Sequence, residues 1–140
     1  MLGTTSEHAL RALTYMASLP AGTVILGRDL AESANIPANY LSKILWALRN
    51  AGIIDATRGS GGGYRLRKRA EEIRLLDVVE LFDKGRVKLN CLLGQGRDCS
   101  DHDPCSAHQA WREVRQCYID FLGSTTIADI ARRFNGQLRS

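Results

Sequence analysis

"NIPANYLSKILWALRNAGIIDATRGSGGGYRLRK" runs from Asn35 to Lys68 of a 140-residue chain. Its first half has the period of a helix. Leu41, Ile44, Leu45 and Leu48 are spaced i, i+3, i+4, i+7 and make one apolar stripe. Asn39, Lys43 and Asn50 fall on the opposite side. Pro37 suits the first turn of such a helix, and Gly52 suits the position after its end. The second half predicts two strands, Ile53–Thr57 and Tyr64–Lys68, around Arg58-Gly59-Ser60-Gly61-Gly62-Gly63. A glycine-rich tip between two such runs reads as a β-hairpin.

Working outward, a short helix near Arg28–Ala34 precedes this stretch, after an extended piece, "TVIL". Two short helices joined by a tight turn form a helix-turn-helix, and a hairpin behind them makes it a winged helix. Further upstream, Leu10, Leu13 and Ala17, with Ala9, Ala12 and Met16 beside them, predict a helix over Ser6–Ser18. Thr4 and Glu7 fit a capping box at its start. Downstream, "EEIRLLDVVELFD" predicts a helix that Gly85 stops. "SAHQAWREVRQCYIDFLGS" predicts a longer one, with Ala107, Ala110/Trp111, Val114, Cys117/Tyr118 and Phe121 along an apolar stripe. The winged helix cannot easily cover that stripe, so a second subunit is expected to. "TTIADIARRF" predicts a short closing helix capped by Thr125 or Thr126. The expected fold is mainly α: a winged helix-turn-helix over residues 1–69 with a small β-hairpin wing, and residues 70–140 carrying a loop at about 86–108 and dimerisation helices, one of them long.

Charge is unevenly placed along the chain. Residues 1–69 carry nine Lys/Arg against four Asp/Glu, whereas residues 70–140 carry ten against eleven. Arg58–Arg69 holds five basic residues and no acidic one. A basic first half suggests a polyanionic partner, with double-stranded DNA first among them. A reading helix enters the major groove with its N-terminal residues toward base edges. Here those residues are Asn39, Tyr40, Ser42 and Lys43; Asn can pair bidentately with adenine, and Lys can reach guanine or phosphate. The wing would bring Arg58 and Ser60 to the backbone or a minor groove, with Tyr64 anchoring the wing or touching a phosphate. Trp46 lies on the polar side of the wheel, where packing is expected rather than a base contact.

Cysteine usage raises a separate question. "CLLGQGRDCSDHDPCSAH", Cys91 to His108, holds three of the four cysteines. The absence of a signal peptide or membrane span predicts a cytoplasmic protein with no membrane partner. In that compartment a disulfide staple is the weakest reading. The gaps match neither the tight pairs of a zinc ribbon nor the common ferredoxin spacings. Soft thiolates on one loop suit an iron–sulfur cluster, zinc or a thiol switch, and the chemistry leaves all three open. Cys117 is expected to be a core thiol, and His102 a bystander among Asp98, Asp101 and Asp103. No Gly-rich phosphate loop and no nucleophile–base pair points to an enzyme. The basic wing argues against an electron-transfer or cluster-carrier protein.

With "NYLSKILWALRNAGII", "RGSGGGYRL", the three-cysteine loop and "AWREVRQCYIDFLGSTTIADI" on the page, the chain resembles the iron–sulfur-responsive winged-helix regulators of the Rrf type, typified by IscR, NsrR and RirA. The resemblance implies a homodimer on a palindromic operator, and a 2Fe-2S or 4Fe-4S cluster held by Cys91, Cys99 and Cys105. The first cysteine gap is longer than in IscR and NsrR and equals that of RirA. The resemblance offers two fourth ligands. His108 stands where the IscR-like site has its histidine, and Glu7 of the partner subunit stands where the NsrR-like site has its acid; His8 is a weaker candidate. The signal implied is iron, oxygen, nitric oxide or redox state.

Overall fold

A computed structural model describes residues 3–83 and 107–138. The expectations for Gly85, Cys91, Cys99, His102 and Cys105 lie outside the described residues. Six α-helices and one hairpin make up the described fold: α1 (Thr4–Ser18), α2 (Gly27–Ala34), α3 (Ala38–Asn50), β1 (Ile54–Thr57), β2 (Gly63–Leu66), α4 (Leu75–Phe82), α5 (His108–Ser124) and α6 (Ile127–Leu138). The mainly helical winged architecture is therefore as expected.

Apolar periodicity decides which face of each helix goes inward. Ala9, Ala12, Leu13 and Met16 of α1 are buried, and Leu10 and Ala17 are only partly so. Leu30 and Ala34 of α2 join them, as do Leu41, Ile44, Leu45 and Leu48 of α3. The same apolar cluster continues into Leu75, Val78 and Val79 of α4, Leu122 of α5 and Ile127 of α6.

Turn chemistry orders the connections. Asn35 closes α2 in the left-handed conformation at φ 56°, which a short polar side chain tolerates better than most. Gly52 does the same after α3 at φ 77°, and Ile53 then donates back to the Leu48 carbonyl at 3.0 Å. The strands pair antiparallel, Ile54 opposite Leu66 and Thr57 opposite Gly63. The "TVIL" piece forms a single bridge beside them. Ile25 and Tyr64 exchange backbone hydrogen bonds at 2.9 and 2.7 Å. Gly63 makes this approach possible, because a Cβ there would lie 2.4 Å from the Ile25 carbonyl oxygen.

Two local expectations change, and a third, the choice between Thr125 and Thr126 as the last cap, is resolved. Thr4 and Glu7 do not form a capping box: Gly3 is the N-cap of α1, and its N–H donates to the Asp83 carboxylate at 3.1 Å. The helix expected over "EEIRLLDVVELFD" is broken into a 3-10 turn at Ala70–Glu72 and α4. The break lets Ile73 sink into the core and accept a hydrogen bond from Ile127 N–H at 2.9 Å, while Leu75 N–H donates to Thr125. The closing helix is capped by Thr126, whose hydroxyl and N–H exchange hydrogen bonds with Asp129 at 3.2 and 2.9 Å.

Candidate nucleic-acid interface and the root of the cysteine loop

With its apolar stripe in the core, α3 turns its polar side to solvent. Asn39, Tyr40, Ser42 and Lys43 are all exposed, and α3 contains no acidic residue. Arg58 and Ser60 are exposed on the wing tip. Tyr64 differs from them. It is half-buried, and its ring lies by Gly27 at the start of α2, where an added Cβ would meet Cε2 at 3.4 Å. Its backbone bridge to Ile25 fastens the wing to the α1–α2 connection. Trp46 does not pack as expected. It is 68% exposed on the same side as Lys43, because the buried stripe occupies the opposite side of the helix.

Several residues that hold this surface in place carry no signal in the local pattern. Arg11 donates from one guanidinium nitrogen to the carbonyls of Ala34 and Asn35, at 3.1 and 3.0 Å. A cation at these last carbonyls satisfies groups the helix leaves open. Arg11 thereby ties α1 to the turn before α3. His8 is half-buried, with its ring 6.3 Å from that of Tyr40.

A second anchorage sits just before the cysteine-bearing stretch of the sequence. Asp83, the last described residue before it, is buried and accepts from Gly3 N–H and, at 2.5 Å, from the Ser6 hydroxyl. An acid suits the unsatisfied donors and positive end of a helix N-terminus. Burial first, and the nearby Asp83 charge second, raise the Tyr118 phenol above its ordinary range. Its hydroxyl is buried without a hydrogen-bond partner among the described residues. Glu7 is exposed on the turn next to Ser6, and His108 is the first residue of α5. The described residues hold no group of three or more potential metal ligands.

The stripe on α5 is only partly used. Tyr118, Ile119 and Leu122 meet the core, but Val114 and Phe121 are 52% and 50% exposed. Cys117 is exposed in the single chain, against the expectation of a core thiol. The face through Tyr118 and Leu122 is the one that α5 presents to its own subunit, and Cys117 points away from it.

A winged helix-turn-helix with an acid-free, outward-facing second helix is an architecture that DNA-binding transcription regulators use. The chain belongs to the Rrf2 family, iron-dependent transcriptional regulators, whose family model matches residues 2–133. A protein of Aquifex aeolicus (strain VF5) that bears the name of an HTH-type transcriptional regulator is 32% identical over 128 residues, covering 90% of this chain and 88% of that one. The oxidized form of Staphylococcus aureus CymR is similar in structure, with TM-score 0.74 and 28% identity over 94% of this chain and 95% of the other. The fold also matches T. potens IscR, at TM-score 0.75 and 21% identity over 95% and 87% of the two chains. No described helix is long and apolar enough to cross a membrane.

Proposed function

We propose that this chain is a cytoplasmic, homodimeric regulator that binds a palindromic operator and senses iron, oxygen, nitric oxide or redox state through an iron–sulfur cluster on its cysteine loop. One observation carries the reading. The start of α1 touches Asp83, next to the cysteine-bearing stretch, through its N-cap Gly3 and through Ser6, and touches the helix-turn-helix through His8 and Arg11. A change in the loop then bears on the same rigid element that sets the position of α3.

Residues 1–69 act as the reading unit and residues 70–140 as the sensing and dimer-forming unit. Asn39, Tyr40, Ser42 and Lys43 face base edges, while Arg58 and Ser60 hold phosphates and Tyr64 steadies the wing. Two half-sites must be met at once, about 34–36 Å apart or a multiple of it. A small shift of α1 therefore suffices to change the population of the binding-competent dimer.

The donor set fits a cluster: three thiolates are soft ligands of the kind iron–sulfur centres require. Cys91, Cys99 and Cys105 would hold it, with His108, or Glu7 of the partner subunit, as the fourth ligand. The cluster would supply a centre whose charge and integrity respond to oxidants and to iron supply. The exposure of Glu7 is compatible with the second choice.

A second reading keeps the DNA reader and replaces the cluster by zinc or a cysteine switch. The likeness to the oxidized form of a CymR protein favours it. Anaerobic purification followed by native mass spectrometry and visible absorption tests both. Iron and sulfide bound per dimer, with absorbance lost in each of Cys91→Ala, Cys99→Ala and Cys105→Ala and kept in Cys117→Ala, is the expected result. A colourless protein without iron would transfer the function to the second reading.

A further inference from the structure

We propose that Trp46 is a base-reading residue: its indole ring lies against the C5 methyl of a thymine in the major groove and gives each half-site a thymine preference at that position. The inference rests on α3 being the reading helix and adds a residue and a base to it. Trp46 is the most exposed large apolar side chain among the described residues. A single exposed apolar residue needs no explanation by itself, so its position decides. It stands seven residues after Asn39, about 10 Å along the helix and about 20° short of two full turns. Asn39, Lys43 and Trp46 thus lie along one outward-facing line.

The electrostatics of that line fit a duplex. Lys43 lies one turn before Trp46 and Arg49 one turn after it, and α3 carries no acid to repel phosphate. Trp46 is also not needed to complete the core, because Leu41, Ile44, Leu45 and Leu48 already fill the inward side. In the major groove, thymine alone among the bases presents a methyl group. An apolar ring on the groove-facing line therefore has one matching base feature. The groove is about 12 Å wide and about 8.5 Å deep, enough to admit the helix with its indole.

The test uses the full-length protein and a duplex selected from a random pool by its binding to it. Each thymine is replaced in turn by uracil, which keeps the pairing and removes the methyl. For the wild type, one replacement per half-site should weaken binding about fourfold, the factor expected for one buried methyl-sized group. Trp46→Ala should bind the thymine duplex more weakly and treat thymine and uracil alike. Trp46→Phe should keep part of the discrimination. Lys43→Ala should lose affinity while keeping the discrimination, which would establish that the reading helix is correctly placed. If Trp46→Ala keeps wild-type affinity and the wild-type uracil profile while Lys43→Ala loses affinity, the inference falls and the reading helix stands; the ring would then belong to a protein contact. If both variants bind like wild type, α3 is not the reading helix, and that part of the proposed function falls with it.

Discussion

Helices α3 and α5 carry apolar stripes of the same period, yet the fold treats them differently. On α3 the stripe from Leu41 to Leu48 is sunk in the core. On α5 only the face through Tyr118 and Leu122 reaches the body, and Val114 and Phe121 remain half bare. Periodicity says which face of a helix must leave water. It does not say what supplies the cover. α1 and α2 lie beside α3 and close over it. Among the described residues α5 packs chiefly on α4, and in the proposed dimer the rest of its stripe would face the second subunit.

That contrast can be broken from either side. The largest effect is expected in α3. Leu48→Ala should lower unfolding stability by about 2–5 kcal/mol through lost burial and the cavity left behind, read from urea denaturation. A loss below 1 kcal/mol would mean the α3 stripe is not the core face. On α5, Phe121→Asp should leave helix content by circular dichroism unchanged but weaken the dimer by about 2 kcal/mol, on the order of thirtyfold, as a central apolar contact does. Sedimentation at several concentrations checks it, and an unchanged assembly would remove α5 from the interface.

Between the two helices lies the Asp83 anchorage. Asp83→Ala leaves the Gly3 N–H and the buried Ser6 hydroxyl without their acceptor, at a cost of about 1–3 kcal/mol. Ser6→Ala in addition should return part of that loss, because it deletes one stranded donor. Additive losses would place the contribution elsewhere.

The smallest effect is expected at Tyr118. Its hydroxyl is buried with no partner among the described residues, so Tyr118→Phe should raise stability near neutral pH, by up to about 1 kcal/mol. The folded phenol is raised above the range of the unfolded one. The stability it carries is therefore full below the ordinary phenol range and is lost as pH climbs from that range through the folded value. The wild type should fall further below Tyr118→Phe under such alkaline conditions, in paired denaturation curves.

Much of the reading head was legible because its signals are local. The Leu41–Leu48 spacing, Pro37, Gly52 and the glycine tip each act within a few residues of where they stand. What was not legible depends on distant chain. The cap of α1 comes from Asp83, 80 residues after Gly3. The break at Ile73 exists because Thr125 and Ile127 pair with that segment. Arg11 looked like one more surface charge, since its acceptors lie 23 and 24 residues away. The cysteine-bearing stretch offers residue types alone, and Trp46 stays bare although an aromatic on a polar face usually finds a neighbour.

The Asp83 anchorage also sets a schedule for biosynthesis. Residue 3 leaves the ribosome first, and its acceptor follows 80 residues later. At 5–20 residues per second the interval is about 4–16 s. Through that time the first turn of α1 stays open-ended, with its amides in water. The loop-closure cost of joining the two ends grows only slowly with their separation, so the delay comes from translation rather than from entropy. The next segment to emerge is the one that carries the cysteines. Closure of the first helix and delivery of the thiols therefore fall together in time.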